Sequence, residues 1–397
     1  MFGVDSLVEA ENIVTGVSAS SLGSQMWAGQ YRRWARWAVV AGSCILIAGC
    51  SGAPQASGTT RHVTSLRVLA RFSSNTEVAA ITSTTSGIVL AAVNHLGAQG
   101  TAYGTVDVLA PPHDTAKTFV GSGQGGCPSS GDLSTAAHLP TLNGLATGPQ
   151  GSSVFFSVVN QGMGAAADCS SIYQVTSHPP GHLRLVASRP SPSDTMFGPL
   201  AVDRRGDLYA VVNNGGSVYT IREWPRGGTV ARNVAGNGLS YTNSPLSTSG
   251  NALATALPPI GELTFAPDGS LCGTEPGFDQ AICINLRTNQ LHTLAAQIST
   301  PTGMAFSPDG GVLLASGVKG TIEEFGAAPK AVGIMAGGGT MNLQAGPMPS
   351  HIQATRPRLA LGPPNYDCLA TTPSGLYVLD NDVGSVLLYL PFRGAND

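Results

Sequence analysis

Charge is scarce in this sequence. Only 11% of the 397 residues are Asp, Glu, Lys or Arg, less than half the usual share of a globular protein. That excludes a coiled coil and a solvated acidic or basic tail. Lysine occurs only at Lys117, Lys319 and Lys330, and the formal net charge is −3, so there is no electrostatic footprint for nucleic acid. No apolar run approaches the ~20 residues of a membrane-spanning helix. The eight histidines are scattered, with no pair at metal-ligand spacing. There is no Gly-x-Ser-x-Gly elbow, and the glycine-rich stretch 121–125 follows a strand signal but opens no helix, so it cannot cradle a phosphate. Neither a metal nor a cofactor is therefore expected. What is plentiful is Gly (51) and Pro (27), together high for a helical protein but below the level of disordered or collagen-like chains.

The N-terminal region reads as an address. Arg32, Arg33 and Arg36 precede an apolar run of eleven residues, 38–48, which suits a signal-peptide core. The run ends in Ile47, Ala48, Gly49 and Cys50, which resembles the bacterial lipobox. The resemblance implies that Cys50 is lipidated and becomes the mature N-terminus, anchoring the protein to a cell membrane on its extracytoplasmic side. Met26 offers a second, more compact start, and Arg32-Arg33 leaves export by the general or the twin-arginine route open. Residues 51–58 form a Gly/Ser/Pro tether. The expected organisation is a signal peptide over 1–49, lipidated cysteine and tether over 50–61, and one folded domain over 62–397.

That domain is repetitive. A short apolar segment, a turn ending in Gly and a second apolar segment recur six times, with the turn glycines at Gly87, Gly151, Gly206, Gly269, Gly310 and Gly375. Each is a hairpin signal in which Gly supplies a positive φ. The one short spacing, 41 residues from Gly269 to Gly310, equals a four-stranded propeller blade; the longer ones are a blade plus an insertion. Third strands are expected over 105–110, 171–175, 217–221, 281–285, 321–325 and 385–390. Fourth strands are expected over 117–120, 183–187, 229–234, 291–295 and 331–335. The sixth unit lacks a fourth strand, and the alternating segment 63–69 is unused, so placing it there closes the ring. The expected fold is all-β: a six-bladed propeller of four-stranded antiparallel blades, closed by an N-terminal strand, and monomeric.

The linkers 235–238 (Ala-Gly-Asn-Gly) and 336–339 (Ala-Gly-Gly-Gly), the segment 252–258, and the strand 376–381 (Leu-Tyr-Val-Leu-Asp-Asn) resemble NHL-repeat propellers over roughly residues 63–392. Such propellers host binding modules and enzymes alike. Calcium-dependent lactonase propellers need Asn and Asp where this chain has Thr302 and Ser316, so a hard-cation cage would lose its carboxylate. Streptogramin lyase blades end in Phe-Thr-Glu, echoed once by Thr274 and Glu275.

Strand parity places three long inter-blade loops, near 121–142, 236–259 and 337–365, on the face where second strands end. Asn94, Asn160, Asn213, Glu275, Asp380 and Asn381 should converge there, with Tyr241 and His351 on the loops, as a polar face for a protein or glycan partner. The rival reading is a lyase or hydrolase using Glu275 and Asp380 in the central channel. Export favours disulfides. Cys272 and Cys283 flank one hairpin, Cys127 and Cys169 share the loop face, and Cys368 is expected as a buried free thiol.

Overall fold

The structure, a computed structural model, describes residues 65–97, 102–109, 116–159, 169–176, 181–188, 196–241, 245–246, 249–326, 331–341, 343, 351–361, 368–381 and 385–392. Cys50 and Asn160 lie outside the described residues.

The chain opens with β1 (Ser65–Arg71), then builds blade 1 from β2 (Thr76–Ser83), β3 (Val89–Leu96), β4 (Ala102–Leu109) and β5 (Lys117–Val120). Blade 2 is β6 (Thr141–Thr147), β7 (Ser153–Val159), β8 (Ser170–Thr176) and β9 (Arg184–Ser188). Blade 3 is β10 (Met196–Val202), β11 (Leu208–Asn213), β12 (Tyr219–Trp224) and β13 (Arg232–Ala235). A short β14 (Ser249–Asn251) precedes blade 4, formed by β15 (Leu263–Phe265), β16 (Leu271–Glu275), β17 (Gln280–Asn285) and β18 (Gln290–Ala296). Blade 5 is β19 (Pro301–Phe306), β20 (Val312–Ser316), β21 (Thr321–Phe325) and β22 (Ala331–Gly337). After β23 (His351–Gln353), blade 6 is β24 (Leu369–Thr372), β25 (Gly375–Asp380) and β26 (Val386–Pro391), with β1 as its fourth strand.

The closing strand pairs antiparallel with β26, Arg67 against Tyr389 and Arg71 against Val386. Closure removes two open sheet edges, and Leu66 on this strand is fully buried. Innermost strands touch in order, β2 to β6, β10, β15, β19 and β24, and β24 returns to β2. Apolar seams hold blade to blade. Between blades 1 and 2, Leu90, Ala92, Val106 and Phe119 pack on Leu142, Val154, Phe156 and Val158. Every fourth strand carries a bulge at a matching place, for example between Val106 and Asp107 in the pairing of β4 with β5. Bulges increase twist and blunt sheet edges.

Each blade has the four strands expected, and in blades 4 and 6 a three-residue strand from the preceding loop adds to the outer edge, β14 on β18 and β23 on β1. One expectation needs correction. Gly375 is not a positive-φ turn residue like Gly206, Gly269 and Gly310 (φ 89, 87 and 87). It lies within β25, where a Cβ would come 2.4 Å from the Leu390 carbonyl and from the Tyr389 ring. Glycine is required there by close approach, not by backbone conformation.

Candidate functional site

We call the face where second strands turn into third strands the upper face; successive blades are also joined there. The residues expected to form an open polar rim on it are largely held by the scaffold. Asn94, at the upper end of β3, is buried; its Nδ2 donates to the Leu142 carbonyl at 3.0 Å and its Oδ1 accepts from the Leu142 N–H at 2.7 Å. Asn213 accepts from the Gly215 N–H and shapes the turn that follows β11. Asp380 is buried and accepts from the Ala360 N–H at 3.0 Å, while the Asn381 N–H donates to the Ala360 carbonyl. The Asn381 amide itself is enclosed without a hydrogen-bond partner. Tyr241 stands edge-on to Phe278, ring centroids 5.4 Å apart.

Glu275 is fully buried. Burial pushes its carboxyl up to about 7, against the opposing hydrogen bond from Gln280. Its second oxygen has no partner. Glu275 and Asp380 therefore sit inside protein rather than lining an open channel. Among the described residues no cluster of His, Cys, Asp or Glu could hold a metal.

The three long loops share one construction. Each begins at a glycine that ends an outer strand: Gly121, Gly236 and Gly337, with φ of 112°, 91° and 83°. A Cβ at these positions would come 2.9, 2.6 and 2.1 Å from the carbonyls of Gly104, Tyr219 and Gly320, so only glycine fits. The glycine N–H groups donate to the carbonyls of Ser134, Ala252 and Ala354, closing each loop on itself. Before that closure, each loop lies along the outer edge of the next blade. Leu133 bridges to His182 on blade 2, β14 pairs with β18 on blade 4, and β23 pairs with β1 on blade 6. Beneath these covers Leu183, Leu291 and Leu66 are buried. The loops then return inward through Leu139, Leu257 and Leu359, all buried.

The long loops are thus wraps that guard the outer edges of alternate blades, not three arms standing on one rim. His351 accordingly lies on an outer edge strand, exposed, with its backbone opposite Arg67. Sequence reasoning missed that 121–139 is a third copy of the linkers at 236 and 337. The available signal was Leu139-Pro140, which repeats Leu257-Pro258.

The first wrap differs from the other two. It carries a disulfide from Cys127 to Cys169, the residue just before β8, with Cα atoms 5.8 Å apart. Beside it opens a cavity of about 390 Å³, lined by Gly126, Cys127, Asp132, Leu133, Ala136 and His138. Leu133 is 44% exposed at the cavity, and the Asp132 Oδ2 accepts from the Ser129 N–H at 2.7 Å. Tyr173 anchors the wrap from below, its hydroxyl donating to the Pro128 carbonyl. The second disulfide joins Cys272 and Cys283, directly opposite on β16 and β17, and Cys368 is a buried cysteine outside both disulfides.

No protein-family model matches the sequence, and no curated protein matches it. Among solved structures, one similar chain is a structural-genomics protein of unknown function from Bacteroides thetaiotaomicron VPI-5482 (12% identity, TM-score 0.53), matched over 82% of this chain and 76% of that one. A luciferin-regenerating enzyme is 9% identical over 83% of this chain and 95% of its own, TM-score 0.48. A virginiamycin B lyase from Staphylococcus aureus is 10% identical over 82% of this chain and 98% of its own, TM-score 0.45. At this distance the likeness to the first is one of fold, and the chain is a six-bladed β-propeller.

Proposed function

We propose that this protein is a recognition propeller of the NHL-like kind, held at the extracytoplasmic side of a cell membrane by a lipidated Cys50, and that it binds a partner through the first wrap. The observation that carries this reading is the cavity at residues 126–138, on a segment braced by the Cys127–Cys169 bridge. A wrap that only guarded an edge would not need the bridge, as the second and third wraps, whose sequences carry no cysteine, illustrate. Disulfide bracing reduces the entropy lost on ordering a binding loop, which favours affinity. The lipobox-like run ending at Cys50 and the tether at 51–58 support the anchored location.

The enzyme reading rests on Glu275 and Asp380. Both carboxyls are enclosed, and each accepts a hydrogen bond from neighbouring protein, Glu275 from Gln280 and Asp380 from Ala360. A general acid or base must come within hydrogen-bond reach of its substrate.

A photo-crosslinking residue at the exposed Ala136, in the full chain in its own envelope, should give a discrete adduct. That adduct should persist in Glu275→Gln and Asp380→Asn. Loss of the adduct in the acid variants, with the fold intact, would favour the enzyme.

A further inference from the structure

Superimposing the wraps by their chemistry isolates one carboxylate. The carbonyls that accept from the loop-opening glycines belong to Ser134, Ala252 and Ala354, so Asp132 corresponds to Gly250 and Ile352. The edge-guarding construction therefore does not need an acid at this place; a glycine and an isoleucine serve in the other copies. Asp132 is nonetheless held in position by the Ser129 N–H, and no cation pairs with it among the described residues. Arg184, on the strand start that this wrap covers, is committed elsewhere. Its Nε and one terminal nitrogen donate to the Gln174 side chain, and the other terminal nitrogen donates to the Gly227 carbonyl.

The remaining walls suit a long aliphatic stem. Leu133 and Ala136 are both exposed at the cavity, and the cystine at Cys127 closes one side. His138 adds an imidazole to the lining, corresponding to Ala256 and Arg358 in the other wraps. Lysine and arginine side chains combine an apolar stem with a charged head, and they bury the stem while keeping the head polar.

We propose that this cavity takes the cationic side chain of a lysine or arginine presented by a protein partner, with Asp132 as its counter-charge. The inference rests on the recognition reading above and gives it a ligand chemistry. The same chemistry could come from a free diamine, so the test separates the two sources.

The test uses the full-length protein, purified in detergent, and saturation-transfer NMR with three probes: Nα-acetyl-lysine methylamide, its Nε-acetylated form, and cadaverine. The charged lysine probe should bind, the Nε-acetylated probe should not, and Asp132→Asn should weaken the charged probe about three- to fivefold, the scale of a partly exposed ion pair. Asparagine keeps an acceptor for the Ser129 N–H, so the melting temperature should not move. Equal binding of charged and acetylated probes, or unchanged binding in Asp132→Asn, overturns the counter-charge. Cadaverine binding more tightly than the lysine probe overturns the protein source. If the Ala136 photo-adduct forms while the charged probe fails to bind, this inference falls and the recognition reading stands. If the charged probe binds but no adduct forms, the protein source falls together with that reading.

Discussion

Asn94 and Leu142 join blades 1 and 2 by a two-way hydrogen bond, the amide of one side chain meeting both backbone groups of a residue 48 positions away. Leu142 is the second residue of the innermost strand of its blade, so this contact fixes how far blade 2 sits from blade 1. Asn94→Ala would leave a buried N–H and a buried carbonyl unpaired. The expected cost is about 2–4 kcal/mol, read from urea unfolding. A change below ~0.5 kcal/mol would mean that water replaces the amide.

The wraps make a contrasting pair of glycine predictions. Gly236 has φ of 91° and a Cβ there would meet the Tyr219 carbonyl at 2.6 Å, whereas Gly269 has φ of 87° with nothing within 4 Å. Gly269→Ala should cost about 1 kcal/mol, from backbone strain alone. Gly236→Ala should cost several times as much, because the wrap must lift off the edge of blade 4. Thermal unfolding of the two variants checks the order. The same reasoning predicts that replacing a whole wrap by a tight turn lowers the melting temperature, since Leu257 or its counterpart loses its burial.

Glu275 sets a pH dependence with a definite sign. Its folded value is pushed up to about 7 from an ordinary 4.5 by burial. Between these values the unfolded chain has released a proton that the folded chain keeps, so stability falls as pH rises from about 4.5 and levels off above about 7. The loss is of the order of 3 kcal/mol. Glu275→Gln should flatten this slope and raise stability at pH 8, measured by denaturant midpoints across pH.

Most of the fold was legible because hairpin chemistry is local. Five turn glycines and the strand-length runs in all six repeats define the blades, and the alternating segment at 63–69 lies within two residues of β1, Ser65–Arg71. Placing Cys127 and Cys169 on one face needed only the count of strand reversals, and the structure joins them. The course of the wraps was not legible. Edge strands of three residues, such as Ser249–Asn251, carry no periodicity, and their pairing with β18 depends on tertiary placement. Parity also located Asn94 and Asp380 at the correct end of their strands. It could not say that their side chains would turn sideways into neighbouring segments instead of upward into solvent.

Anchoring is tested at Cys50. Cys50→Ser should abolish incorporation of labelled palmitate and release the protein from the membrane fraction, with its melting temperature unchanged because the blades carry the core. Continued membrane association after an alkaline wash would contradict lipid anchoring at this residue.

The most direct test of recognition by the first wrap uses two leucines as matched probes. Leu133 on the first wrap is 44% exposed and Leu253 on the second is 39% exposed, so replacing either with serine alters surface more than core. Photo-adduct yield at Ala136 is measured in the full chain for Leu133→Ser and Leu253→Ser, alongside melting temperature. Recognition by the first wrap predicts a several-fold drop in yield for Leu133→Ser and none for Leu253→Ser, with both variants melting near wild type. Equal yields in the two variants, or a drop only for Leu253→Ser, would contradict it.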